Sequence, residues 1–201
     1  KFKEYMLKLV GEETGIDLPR EQAPLVYNLN NGKDIEYATA SFGQGIALTP
    51  IVMIRALAAL ANGGYLVDPH IVSEIEYEIG LKKVVSHPKP EQVFSNETSE
   101  TISRMLVKVV DDALLGGSFS KERYSIAAKT GTAQLVEEGG YSEDKYLHSF
   151  FGYFPAYEPR FIFLLFTLEP KGEDYASNTL TSPFMNITDF LLDYYNIPPD
   201  R

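Results

Sequence analysis

The clearest pattern in this chain is a stripe of apolar residues at helical spacing between residues 98 and 115. The stripe recurs every three or four positions and consists of Ile102, Met105, Leu106, Val109, Val110 and Ala113. Residues with this spacing share one face of an α-helix. The pattern therefore predicts an amphipathic helix that packs on a core and is ended by Gly116 and Gly117.

Three further helices are predicted from apolar spacing and from capping residues. Residues 2–10 carry apolar side chains at helical spacing, and residues 49–63 are rich in alanine and leucine, which predicts burial on most faces. Thr49 is a good N-cap residue, and Pro50 suits the first helical position. A last helix over residues 183–195 carries an apolar stripe that can lie on a sheet.

Four segments have the composition and length of β-strands. Residues 70–80 alternate between apolar and polar side chains, which predicts a half-exposed strand. Residues 124–134, 148–154 and 161–168 are the other three, and "PAYEPR" (155–160) joins the last two as a hairpin turn with its prolines outside the ladder. The short connections predict that these three strands are adjacent and antiparallel.

The order of these elements defines the fold class. Helices come first, then an antiparallel meander, then a covering helix, which is typical of an α+β architecture with an antiparallel sheet flanked by helices. We expect the helices at 98–115 and 183–195 to pack against each other or against the sheet. Residues 15–45 are expected to be irregular because they are rich in Gly, Pro and Asn. Residues 135–146 are expected to be a long acidic loop, either a mobile lid or, as we favour, a solvated connection.

Composition narrows the possible functions. A chain of 201 residues with 44% hydrophobic residues can bury a core. Its formal net charge of −10 disfavours nucleic acid as a partner, because an acidic surface does not follow phosphate backbones. The absence of cysteine excludes thiolate and disulfide chemistry. The three histidines have no metal-ligand spacing, so no metal site is expected.

The ends of the chain suggest that it is part of a longer protein. No apolar run reaches the roughly 20 residues that a membrane span needs, and no signal peptide opens the sequence. The first helix has no cap before Phe2, so we expect the chain to have been cut from a longer one.

The segment "SIAAKTGTAQ" (125–134) places polar residues inside a predicted strand. Lys129 and Gly131 share one face of that strand, and Thr130 and Thr132 share the other. A cation beside a glycine gap, flanked by hydroxyl groups, fits an anionic, extended, peptide-like ligand held partly by β-augmentation at an open sheet edge beside a cleft. The alternative is an edge strand whose lysine only protects against aggregation.

The motif K-T-G occurs together with S-x-x-K and S-D-N in β-lactamases and penicillin-binding proteins. "AAKTGTAQ" resembles the longer form typical of penicillin-binding proteins. Residues 41–72, "SFGQGIALTPIVMIRALAALANGGYLVDPHIV", resemble the segment between the second and third boxes of class B enzymes. "GIDLP" before this segment and "LHSFFGYFPAYEPRFIFLLFTLEP" after the box are also similar to that family, so the resemblance covers nearly the whole chain in family order.

The resemblance implies an enzyme that cross-links peptidoglycan through an acyl-serine, with no metal or organic cofactor. It implies that Lys129 supplies positive charge for the substrate carboxylate and for proton transfer, and that the hydroxyls of Thr130 and Thr132 bind that carboxylate. The backbone N–H of Thr132 would form half of the oxyanion hole, and Gly131 would keep the cleft open. One small departure is Ala128, where many members of the family have glycine.

The larger departure is that this chain has no S-x-x-K serine at the start of a predicted helix, where the family has its nucleophile. In the family the serine opens a helix as S-x-x-K, because residues three apart share a helix face. The S-x-x-K string at 86–89 lies in a proline-rich loop, and the one at 118–121 follows a Gly-Gly stop. No S-x-N string occurs. "YYN" (194–196) matches a related box but is better explained by packing. His148 is a weaker candidate for a general base.

We therefore expect residues 1–201 to be the C-terminal part of one transpeptidase domain whose S-x-x-K and S-x-N boxes lie outside this chain. The resemblance implies as partners the D-Ala-D-Ala end of the peptidoglycan stem peptide, β-lactam antibiotics, the remainder of the domain and cell-wall synthesis membrane proteins of division or elongation. It implies an extracytoplasmic location, with an anchor outside this chain. The alternatives are a β-lactamase or D,D-carboxypeptidase of the same superfamily, and a β-lactam-binding sensor or non-catalytic module.

Overall fold

The computed structural model describes residues 1–137 and 140–201, which form two compact units, Lys1–Asn96 and Glu97–Arg201. Together the units contain helices and antiparallel sheets, which confirms the predicted α+β class. Within the described ranges, none of the helices combines the length and the apolar character needed to cross a bilayer.

The first unit contains four helices and two small antiparallel sheets. The helices are α1 (Phe2–Val10), α2 (Tyr27–Asn31), α3 (Asp34–Ala40) and α4 (Pro50–Ala61). The strands are β1 (Tyr65–Leu66), β2 (Glu74–Glu76), β3 (Lys82–Val84) and β4 (Glu91–Gln92), paired as β1 with β4 and β2 with β3. A buried apolar cluster formed by Val10, Val26, Leu29, Ala40 and Val52 joins the helices.

Helix α4 begins as its sequence predicts. The Thr49 hydroxyl accepts a hydrogen bond from the backbone N–H of Val52 at 3.3 Å, and Pro50 is the first helical residue. Gly63 follows the helix with φ +84°, a conformation that favours glycine. Burial extends over most faces of α4 as predicted, since Pro50 is its only exposed residue, but it is mostly partial and only Val52 and Ala59 are fully buried.

Two predictions for the first unit were wrong. Residues 15–45, expected to be irregular, contain the short helices α2 and α3. The strand predicted over 70–80 is reduced to β2, which pairs with β3 in a two-stranded ribbon whose strand residues are all exposed. An alternating pattern is typical of a strand with one buried face, but here both faces of the ribbon meet solvent.

The second unit contains a three-stranded antiparallel sheet with helices packed on it. Its elements are α5 (Asn96–Lys108), a π-helical turn (Val109–Ala113), a 3-10 turn (Leu114–Gly117), β5 (Ala127–Glu137), β6 (Gly140–Phe154), β7 (Phe161–Leu168) and α6 (Ala176–Tyr194). The strand order is β5-β6-β7, with β6 antiparallel to both neighbours. This confirms the predicted meander and the turn at 155–160.

Helix α6 covers one face of this sheet through aromatic side chains. Phe184 lies 4.6 Å from Phe150 between ring centroids and meets Phe154 edge-on at 6.3 Å. Each fully buried aromatic side chain of this kind contributes about 1.5–3 kcal/mol. Gly152 makes the close approach possible, because a Cβ there would lie 2.6 Å from Phe184 Cζ. The predicted contact of the last helix with the sheet is thereby confirmed.

Helix α6 begins earlier than the predicted start at residue 183. Ala176, Leu180 and Thr181 are buried in its first turns, and Pro183 lies inside the helix on an exposed side. The polar segment 176–182 has weak helix propensity, so burial against the sheet decides its conformation.

The loop predicted at 135–146 is largely a β-ribbon. β5 continues to Glu137 and β6 starts at Gly140, with Val136 opposite Tyr141 beyond an irregularity in the register. Lys145 Nζ donates to Glu137 Oε1 at 2.5 Å across the ribbon. The loop and lid interpretations were therefore wrong for these residues, and residues 138–139 lie outside the described part of the chain.

Candidate functional site

The K-T-G motif lies on β5, which is an edge strand of the three-stranded sheet in the described part of the chain. Lys129 is opposite Phe151, Gly131 is opposite Ser149, and Thr132 is opposite His148 on β6. This confirms the predicted strand and its edge position. The cleft expected beside the strand stays a prediction.

The two faces of β5 present different chemistry. Thr130 and Thr132 share the face of Ala128, which packs in the core under α6. Lys129 and Gly131 lie on the opposite face. Because β5 is at the edge, a ligand lying along its outer side could reach the cation from one face and the hydroxyls from the other.

The Lys129 side chain is exposed and folds back onto its own strand. Its Nζ donates to the carbonyl oxygen of Thr130 at 2.8 Å. An ammonium group has three N–H donors, so this single bond holds the cation near the strand edge and leaves further donors for an anion.

The Thr132 hydroxyl links β5 to α6. The backbone N–H of Ala176, the first residue of α6, donates to Thr132 Oγ1 at 3.1 Å. A hydroxyl has one donor and two acceptor positions. Because the helix N–H takes an acceptor position, the Thr132 proton is left to donate to a ligand.

Gly131 has a packing role that its sequence context did not indicate. A Cβ at residue 131 would lie 2.6 Å from Ser149 Oγ, and that hydroxyl donates to the Gly131 carbonyl oxygen at 3.4 Å. The glycine therefore makes room for the neighbouring strand. This explanation stands beside the proposed role of keeping a cleft open.

His148 is fully enclosed between the sheet and the first turn of α6. Its relative exposure is 0%, and Nδ1 lies 3.0 Å from Thr179 Oγ1. Its Nε2 is buried and has no hydrogen-bond partner among the described residues. An imidazole in this position has no access to an incoming amine or water, which does not fit the general-base hypothesis.

None of the three S-x-x-K strings lies in an α-helix. The string at 142–145, which the sequence analysis did not single out, lies on β6, where Ser142 Oγ donates to Asp144 Oδ1 at 3.0 Å and Lys145 is paired with Glu137. Residues 86–89 have no regular secondary structure, and Ser118 follows the 3-10 turn. Ser118 Oγ donates to the Leu115 carbonyl oxygen at 2.9 Å, and Lys121 Nζ is paired with Asp189 at 2.6 Å. At Tyr194, the ring packs against Phe190 with centroids 5.6 Å apart.

Sequence reasoning missed the contribution of the first turn of α6 to this site. Ala176 and Thr179 contact Thr132 and His148 directly. The helix was predicted to start at residue 183, so these two residues were outside it. The Ser, Asn and Thr residues of this segment are of the types that favour a helix start, and this signal could have indicated the earlier beginning.

Comparison with known proteins places this geometry in a family. A profile described as "Penicillin binding protein transpeptidase domain" matches residues 1–188. Stage V sporulation protein D of Bacillus subtilis is 36% identical over 178 residues, which cover 87% of this chain and 27% of that protein. The "Probable peptidoglycan D,D-transpeptidase PenA" of Neisseria meningitidis serogroup A is 28% identical over 193 residues, covering 96% of this chain and 32% of that protein.

Solved structures give the same result. Penicillin binding protein 3 of Mycobacterium tuberculosis in its apo form superposes with a TM-score of 0.86 at 29% identity, covering 98% of this chain and 47% of that chain. A crystal structure of the same protein complexed with ampicillin also gives 0.86, at 28% identity with 98% and 46% coverage. This chain belongs to the family of penicillin-binding protein transpeptidase domains. It spans less than a third of the curated relatives described above, 27% and 32% of their lengths.

Proposed function

We propose that this chain is the C-terminal part of a D,D-transpeptidase domain that cross-links peptidoglycan stem peptides, and that Lys129–Thr132 bind the acyl donor. The observation that carries the proposal is the edge strand β5, which offers the Lys129 cation and the Thr132 hydroxyl donor along one open side. The family membership supports the same function. The serine and the second box would lie outside this chain.

The reaction would proceed in two balanced steps. A serine oxygen attacks the penultimate D-Ala carbonyl, the peptide bond breaks, and the terminal D-Ala leaves with the serine proton. An acceptor amine then attacks the ester, forms the new peptide bond, loses a proton and regenerates the serine. A β-lactam would follow only the first step, because its leaving nitrogen stays tethered to the acyl-enzyme.

The residues of β5 would act on two negative charges, the carboxylate of the acyl donor in the first step and the oxyanion in both steps. Lys129 faces the carboxylate of the terminal D-Ala, and the hydroxyls of Thr130 and Thr132 donate hydrogen bonds to it. The N–H of Thr132 stabilises the oxyanion, a contribution of about 3 kcal/mol in other acyl-transfer enzymes.

The names of the relatives favour this function over its alternatives. The Neisseria relative and a homologue of Buchnera aphidicola at 29% identity carry the words peptidoglycan D,D-transpeptidase. The alternatives of a β-lactamase, a D,D-carboxypeptidase or a binding sensor have no comparable support. By the same reasoning we place the protein outside the cytoplasmic membrane, anchored by a segment outside this chain, with cell-wall synthesis proteins as partners.

Labelling of the full-length protein with a fluorescent penicillin tests the proposal. We expect Lys129→Ala to lower the acylation rate by about 10- to 100-fold, which corresponds to one lost hydrogen bond to a charged group. Lys171→Ala removes an exposed loop lysine and is the matched control, which should label at the wild-type rate. If Lys129→Ala is labelled at the wild-type rate and its thermal unfolding is unchanged, Lys129 has no role in acylation.

A further inference from the structure

We propose that His148 is a positioning residue for substrate binding, because its imidazole fixes the first turn of α6 that holds the hydroxyl of Thr132. The inference rests on the proposed function, since it assigns to Thr132 a role in binding the carboxylate of the acyl donor. His148 itself touches no ligand. Its effect passes through Thr179 and Ala176.

The first link of this chain of contacts is the bond between His148 and Thr179. Thr179 Oγ1 donates to the Ala176 carbonyl oxygen at 3.3 Å, so its oxygen is the acceptor for His148 Nδ1, 3.0 Å away. This network assigns the imidazole proton to Nδ1. The ring thereby ties the middle of β6 to the first turn of α6.

The second link is the bond between Ala176 and Thr132. The first N–H groups of a helix have no partner within the helix. Ala176 satisfies one of them with Thr132 Oγ1 at 3.1 Å, and Ala176 is itself fully buried. The position of this turn therefore decides where the Thr132 oxygen is held and in which direction its proton points.

The two ring nitrogens of His148 differ in their contacts, since Nδ1 meets Thr179 Oγ1 whereas Nε2 has no partner among the residues that the structure describes. A fully buried nitrogen without a partner is unfavourable, and an apolar side chain of similar size would avoid it. The Nδ1 contact to Thr179 is what an apolar side chain could not supply. Thr132, directly opposite His148 in the register, is the exposed end of the same network.

The test compares two ligands that differ only at the carboxylate. Benzylpenicillin carries the anion that Thr132 would bind, and its methyl ester does not. The quantity measured is the ratio of their second-order acylation rate constants with the full-length protein. A general loss of folding or of nucleophile activation lowers both rate constants, whereas misplacement of Thr132 lowers the ratio.

Four variants test whether the ratio of rate constants depends on the contact between His148 and Thr179. His148→Leu and Thr179→Val remove the bond, and we expect each to lower the ratio about tenfold, as loss of one hydrogen bond does. His148→Asn keeps an N–H near the position of Nδ1 and should stay within about threefold of wild type. Thr188→Val is the matched control, since this buried hydroxyl of α6 donates to the Phe184 carbonyl oxygen at 2.9 Å, away from the site.

The outcomes separate this inference from the function on which it rests. A wild-type protein without preference for the anion would overturn both, because there would be no carboxylate contact to position. A wild-type preference that persists in Thr179→Val, or an equal fall of both rate constants there, overturns the inference alone. If His148→Leu does not fold, the Thr179→Val variant provides the test, because Thr179 is only half-buried.

Discussion

The hydroxyl of Thr132 shows how a single residue can serve structure and ligand binding together. Its oxygen accepts the N–H of Ala176, and its proton is left for a ligand. The sequence predicted a polar site at Lys129, Thr130 and Thr132 because these residues break a buried strand. It could not predict the partner of Thr132, because that contact joins residues 44 positions apart.

A residue-scale prediction concerns the pair of Asp111 and Arg201. Arg201 donates to both carboxylate oxygens of Asp111, at 2.5 and 2.8 Å, and these hydrogen bonds hold the pKa of Asp111 below its ordinary value. A carboxyl group with a lowered pKa stabilises the fold above the unfolded-state pKa, and this contribution is lost as the pH falls through the folded-state pKa.

We expect Asp111→Asn to reduce the free energy of unfolding by about 1 kcal/mol at pH 7. The difference from wild type should shrink as the pH falls below about 4, where the carboxylate is protonated in the unfolded chain. Asp112→Asn is the control, because its ion pair with Lys108 is 3.9 Å long and exposed. Unfolding curves measured between pH 3 and 7 check this, and a difference that persists at low pH would contradict it.

At the scale of elements, α5 shows where an apolar pattern misleads. The predicted stripe includes Met105, which is 62% exposed, while Ser99 and Ser103 are buried. Ser103 Oγ lies 2.8 Å from the hydroxyl of Tyr153 on β6 and donates to the Ser99 carbonyl oxygen at 2.9 Å. Small polar residues face this sheet because a tyrosine on it needs a partner. The position of α5 on the sheet was predictable, but its buried face was not.

This contact between α5 and β6 leads to an element-scale prediction. Because the Ser103 proton is used at Ser99, the Tyr153 hydroxyl is the donor, and burial raises the pKa of Tyr153. Ser103→Ala leaves that buried donor without a partner and should cost about 1–3 kcal/mol of unfolding free energy. Tyr153→Phe removes the donor itself, so it should cost less apart from any change in packing.

Denaturant unfolding of both variants and of the double mutant measures this difference. The double mutant should be close to Tyr153→Phe in stability, because the unpaired hydroxyl is gone. Equal costs for the two single variants, with additive effects in the double mutant, would show that the bond contributes nothing specific.

At the scale of the whole molecule, the order of elements along the chain was the most informative feature. Short connections predicted the neighbours β5, β6 and β7, and the order of helices and strands pointed to an α+β class. The sequence does not show where tertiary contacts override local conformational preferences. They do so at the start of α6 and in the ribbon formed by β5 and β6. The site shares this limit, since it combines a motif on one strand with a helix start that only burial determines.

The last prediction is that the isolated 201-residue chain forms no covalent adduct with a β-lactam. Acylation needs a serine with a base beside it. Ser118 is followed by no α-helix that would bring Lys121 to it, and Lys121 is paired with Asp189 instead. Ser86 lies in a segment without regular secondary structure. Incubation with a fluorescent penicillin, followed by denaturing electrophoresis and intact-mass measurement, should show unmodified protein. The full-length protein, treated in parallel, should label at a serine outside residues 1–201. A stoichiometric adduct on Ser86, Ser118 or Ser142, the three serines of S-x-x-K strings, would mean that this chain carries its own nucleophile.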